Sequence, residues 1–113
     1  MNADQRGYLF GEVYPALAEG IDILLIHEGH PPAGWSKDLT HLHCKVTFDV
    51  WSTRDLTVSQ AADYITQIQA LAAECLIFIA SPEEWKTGQA EKARHDHYAY
   101  VLADDVAPMA VAA

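Results

Sequence analysis

Six histidines among 113 residues are where chemistry is first sought in this chain. His27 and His30 are separated by two residues, His41 and His43 by one, and Cys44 follows, so five metal-binding side chains fall within eighteen positions. Imidazole and thiolate are the ordinary ligands of zinc, and a zinc ion with an open position activates water for hydrolysis. The spacing works against a shared ion. On a helix His41 and His43 diverge by about 200°, and only a strand would point both the same way. The order of residues also differs from HExxH and from the paired CxxC of a zinc ribbon. Surface and loop histidines are the simpler reading. His27, His30, His41 and His43 remain the metal candidates, and a metal-dependent hydrolase built on them is the enzymatic alternative. His95, Asp96 and His97 form a weaker cluster of the same kind, read as solvated.

Other catalytic constellations do not emerge. Gly7 and Gly11 stand alone rather than in a phosphate-cradling loop, and Ser36, Ser52, Ser59 and Ser81 read as caps, turns or helix surface rather than as an activated nucleophile. The expectation is a non-catalytic protein with no cofactor.

The elements that must position these residues are mostly helical. In LTVSQAADYITQIQALAAEC, residues 56 to 75, the residues Val58, Ala61, Ile65, Ile68, Ala72 and Cys75 recur at steps of three and four, one stripe of a buried helix. Thr57 followed by Gln60 is a capping box that satisfies two otherwise orphaned amides. A first helix is expected over residues 3 to 19, capped by Asn2 or Asp4, kinked where the Pro15 ring meets the Gly11 carbonyl, and ended by Gly20. Ile21 to Ile26 is too short to classify, strand or helix. HEGHPPAGW, residues 27 to 35, is loop chemistry. Residues 37 to 49 fit a helix through Leu39, Leu42, Val46 and Val50, or a strand through the alternation Cys44, Val46, Phe48, Val50; we choose the helix, capped by Ser36. Ser81-Pro82-Glu83-Glu84 starts a last helix running to about 103 with an interruption near Gly88. The fold class is therefore mainly α: a compact bundle of about four helices with or without short β segments, in a single domain over 1–107 followed by a frayed C-terminal tail over 108–113.

Bulk composition narrows the partners. Half the residues are hydrophobic, yet no run reaches the roughly 18 apolar residues of a membrane span and no signal-peptide pattern opens the chain, so a cytoplasmic protein without membrane contact is expected. Cys44 and Cys75, both placed on apolar helical faces, are read as buried free thiols. Seven Lys and Arg against sixteen Asp and Glu give a net charge of -9, which repels phosphate unless basic residues gather locally. Trp35, Trp51 and Trp85 could stack bases, but core positions are expected for at least two of them. So much apolar surface on a small domain predicts a homodimer.

Three segments taken in order, DQRGYLFGEVYPALAE (4 to 19), LHCKVTF (42 to 48) and STRDLTVSQAADYITQIQALAAECLIFIASP (52 to 82), resemble the NinB, or Orf, family of phage recombination proteins and its small phage and prophage relatives. The shared pattern is an Asp-Gln-Arg opening into an aromatic helix, a helix carrying a lysine, and a Ser-Thr pair leading into an amphipathic helix and a short apolar strand. The resemblance implies a mainly helical homodimer that binds single-stranded DNA and helps load a strand-exchange protein onto DNA coated by single-strand-binding protein. The matched polar positions, and so the implied nucleic-acid contacts, are Gln5, Arg6, Lys45, Ser52, Thr53 and Arg54. The alternative is a protein-interaction module of the same ancestry without DNA affinity. Arg6, Lys45 and Arg54 in one groove would favour DNA; dispersal among carboxylates would favour protein contacts.

Overall fold

The computed structural model describes residues 1–103, which are mainly helical, with no strand among them. In chain order come α1 (Ala3–Tyr8), a π-helical turn (Leu9–Val13), α2 (Tyr14–His27), α3 (Lys37–Thr47), a 3-10 turn (Thr53–Asp55), α4 (Val58–Glu74), α5 (Pro82–Lys86) and α6 (Ala90–Val101). The expected frayed tail, 108–113, lies outside the described residues. The chain divides into two compact units, Met1–Ile79 and the part from Ala80 onward, and each is treated by itself. Among the described residues no helix is long and apolar enough to cross a membrane.

The first unit opens as expected. Asn2 caps α1 in a full capping box, its side chain accepting from the Gln5 amide at 2.8 Å while Gln5 Oε1 accepts from the Asn2 amide at 3.1 Å. The predicted kink ahead of Pro15 takes a specific form. One π turn intervenes, in which the Tyr14 amide donates to the Leu9 carbonyl five residues back, and Pro15 sits in the first turn of α2 where its missing N–H is not needed. Gly20 does not end the helix. It is buried within α2, the apolar run after it continues as helix to His27, and the stop comes at Gly29 with φ +85°, where the His30 amide donates to the Leu25 carbonyl at 2.8 Å. A glycine terminates a helix only when it turns left-handed, and here Gly29, not Gly20, does so.

Within the segment expected to be helical, Lys37–Thr47 forms the helix, from a cap in which the Leu39 amide donates to Ser36 Oγ at 3.1 Å to a turn through Phe48 and Asp49, φ +56°. α4 carries the expected capping box of Thr57 and Gln60. Its stripe is narrower than its sequence suggests. Ala61, Ile65, Ile68 and Ala72 are buried together with Tyr64, whereas Val58 and Cys75 at the two ends are exposed, because they fall beyond the segment that its neighbours cover. Cys75 is thus an exposed thiol rather than a buried one. Leu76 follows with φ +65°, and the Ile77 amide returns to the Ala72 carbonyl at 2.8 Å. The segment after α4 does not form the short strand that the resemblance implies.

In the second unit Ser81 and Glu84 form another capping box at the start of α5. The break falls at Gly88, φ +77°, and α6 follows with Lys92 bonded to Asp96 at 3.0 Å and Arg94 to Glu91 at 2.8 Å. Hydrogen bonding to Lys92 holds the exposed Asp96 carboxyl below the usual range, with His95 3.7 Å away adding to the effect.

Packing in the first unit predicts unequal costs along α4. Ile68 is 1% exposed, so Ile68→Ala should lose about 2–5 kcal/mol, and the neighbouring exposed Gln67→Ala should stay within about 0.5 kcal/mol of wild type. Urea denaturation of both variants checks the difference; equal losses would contradict the helix face.

Candidate functional site

The centre of the first unit is aromatic and polar at once. Phe10 and Tyr14 meet edge to face at 5.0 Å, and the His41 ring stands 5.0 Å from both. The Tyr14 and Tyr64 hydroxyls share a hydrogen bond of 2.8 Å with both rings buried, and Phe48 meets Tyr64 edge to face at 6.2 Å. His41 Nε2 lies 3.2 Å from Thr53 Oγ1, so the 3-10 turn is tied to α3. Thr53 therefore serves as a partner for His41 rather than as a cap. Burial pushes the Tyr64 phenol up to about 12, and burial with the hydrogen bond to Tyr64 pushes Tyr14 further in the same direction. Burial also raises the Cys44 thiol to about 11. Groups held neutral in this way pack and position; they are poor nucleophiles at neutral pH.

The histidines do not converge. His41 faces Phe10 and Tyr14, while His43 stacks on Trp35 with ring centres 4.1 Å apart and planes 2° from parallel. His27 ends α2 and His30 follows its cap, both exposed. Among the described residues no group of three or more His, Cys, Asp or Glu side chains is arranged to hold a metal ion. The loop between α2 and α3 is instead organised by Asp22, whose Oδ1 accepts from the Ala33 amide at 2.8 Å and the Gly34 amide at 3.1 Å. Trp35 and His43 also line an apolar cavity of about 210 Å³ together with Leu17, Cys44, Ile68 and Ile77.

The six matched polar positions lie on α1, on α3 and around the 3-10 turn. The Gln5 side-chain amide donates to the Val58 carbonyl at 2.8 Å, and the Met1 amino group donates to the Leu56 carbonyl. These bonds join the opening of α1, with exposed Arg6, to the chain just beyond Ser52-Thr53-Arg54, where Arg54 is exposed and Thr53 buried. Lys45 lines an open groove of about 620 Å³ with Leu42, Val46, Asp49, Val50 and Trp51, and it sits one helical turn beyond His41, the partner of Thr53. Arg6 and Arg54 do not line it.

Trp51 is the clearest departure from expectation. It is 97% exposed, and Trp35 and Trp85 are half-buried, so none of the three is a fully buried core residue. The chain leaves α3 at Asp49 in a left-handed conformation, and two residues later Trp51 projects into solvent. Neither the Tyr14–Tyr64 pair nor the Asp22 anchor was evident from residue types alone; Tyr64 falls beside the α4 stripe, its one sequence signal. Compared with protein-family models, curated proteins and solved structures, the chain matches none.

The buried hydroxyl pair predicts a non-additive response. Tyr64→Phe strands the Tyr14 hydroxyl and should cost about 1–3 kcal/mol, whereas Tyr14→Phe with Tyr64→Phe removes both polar ends and should cost less than the sum of the single changes. A double-mutant cycle in urea reads the coupling.

His41 predicts a pH dependence. Burial lowers its pKa and nearby Lys45 lowers it further, against an opposing effect of Asp38. A folded pKa below the unfolded value near 6.5 means that folding favours the neutral ring, so this stability is present above about pH 6.5 and is lost as pH falls through the lower folded value. The urea midpoint should therefore drop between about pH 7.5 and about pH 5 in wild type and drop less in His41→Gln.

Proposed function

We propose that this chain is a phage- or prophage-derived recombination accessory protein of the cytoplasm, non-catalytic, which binds single-stranded DNA and works alongside a single-strand-binding protein. The observation that carries this reading is the hydrogen-bonded junction between the start of α1 and the chain entering α4. It joins the segments of Gln5, Arg6, Ser52, Thr53 and Arg54, the matched polar positions of the resemblance, with both guanidinium groups on exposed residues. Planar guanidinium groups flanked by amide and hydroxyl donors suit phosphate and sugar contacts along a flexible strand. The inward-facing, neutral aromatic centre supports a scaffold rather than a reaction site.

A net charge of -9 works against approach, so affinity is modest and confined to this edge. The second reading, a protein-interaction module, draws on the apolar groove that Lys45 and Asp49 share and that neither arginine lines.

Labelled single-stranded oligonucleotide titrated at low salt tests the proposal. Binding should exceed that of duplex and weaken with salt, with a slope of about -0.7 per phosphate contacted. Arg6→Glu and Arg54→Glu should each remove most of it, while Lys92→Glu, on exposed α6 surface and already paired with Asp96, should change little. Absence of binding at tens of micromolar protein would leave the protein-interaction reading in its place, and equal losses from all three substitutions would show that the edge is not the site.

A further inference from the structure

The outward side of α3 is apolar and uncovered. Leu39, Leu42 and Val46 are 37%, 51% and 73% exposed, and Trp51 just beyond the helix is 97% exposed. Water at such a stripe is released on contact with another apolar surface, which favours association. Two charged residues, Lys45 and Asp49, share the groove with Leu42, Val46, Val50 and Trp51, and neither is salt-bridged among the described residues. The groove is thus electrically balanced in a chain that carries -9 as a whole. Copies of an acidic chain repel one another least where charge is locally neutral.

A two-fold contact needs a surface complementary to itself, in which residue i meets j and j meets i. The groove meets that requirement. With α3 laid antiparallel on a second α3 and the axis passing near Val46 and Thr47, Lys45 faces the partner's Asp49, and Asp49 faces the partner's Lys45. The same register brings Leu42 towards the partner's Trp51 and lays the two Val46 side chains side by side. We propose that this groove is a homodimer contact whose occupant is a second copy of the chain, with two reciprocal Lys45–Asp49 pairs flanking a Leu42–Val46–Trp51 seam. Lys45 then serves subunit pairing, and strand contact is left to the α1 edge; the inference rests on α3 and holds whether or not DNA binds. α3 has 11 residues and so is about 16 Å long, which makes the contact a small one.

Multi-angle light scattering and sedimentation of the full chain, from submicromolar to about 100 µM, measure it. The expected mass rises from one chain to two. Val46→Glu and Trp51→Ser should hold the chain monomeric with an unchanged circular dichroism spectrum, since both side chains are exposed and the fold does not depend on them. Lys45→Glu and Asp49→Lys should each weaken self-association about tenfold through like-charge contacts, and an equimolar mixture of the two should recover it, because a mixed dimer restores both opposite-charge pairs. A wild type monomeric throughout, a dimer untouched by Val46→Glu, or a mixture no better than its components would overturn the proposal. So would a Lys45→Glu variant that keeps its dimer mass and loses single-stranded DNA, an outcome that assigns the groove to nucleic acid.

Discussion

The hydrogen bond between the Tyr14 and Tyr64 hydroxyls is the constraint around which the first unit is arranged. A phenol carries one O–H, and two buried phenols can satisfy each other only if the helices bearing them hold a fixed depth and rotation. Tyr14 stands at the π turn and Tyr64 midway along α4, so their bond sets the register of those two elements. His41 fits against Tyr14 and Phe10 and passes the constraint to α3, and its contact with Thr53 passes it on to the 3-10 turn. Phe48 closes the ring of contacts from the other end of α3. Each member is neutral in its packed form, which the upward shifts of the phenols and the downward shift of the imidazole both reflect.

Local signals carried much of this arrangement, and they did so where physics is local. Thr57 with Gln60, Ser36 and Ser81 with Glu84 announce helix starts because a side chain three residues away is the only partner they need. The helix over Lys37–Thr47 is not separable from a strand by spacing alone, because Cys44, Val46, Phe48 and Val50 alternate as a strand would, and the choice of helix leans on the resemblance. Gly20 misled because a glycine marks a helix end only if the chain turns there, and burial within α2 decides that it does not. Trp51 and Cys75 misled for a related reason: hydrophobic character raises the chance of burial without supplying a neighbour to bury against.

The polar positions divide along the same line. Sequence order placed Arg6 and Arg54 far apart, and a side-chain amide reaching a backbone carbonyl from α1 to α4 brings their segments together. Lys45, grouped with them by resemblance, lines an apolar groove with Asp49 and sits one helical turn from His41, which bonds Thr53.

The π turn has one further consequence. It adds a single residue to an otherwise continuous helical path from Ala3 to His27, and one extra residue rotates everything beyond it by about 100°. The face of α1 that carries Gln5 and the face of α2 that enters the core are therefore set relative to each other by the length of this turn as well as by the contacts that α1 makes. Substitutions within it are matters of degree. A deletion of one residue there would turn Gln5 and Arg6 away from the chain entering α4, so the turn acts as a phase setting between the α1 edge and the core.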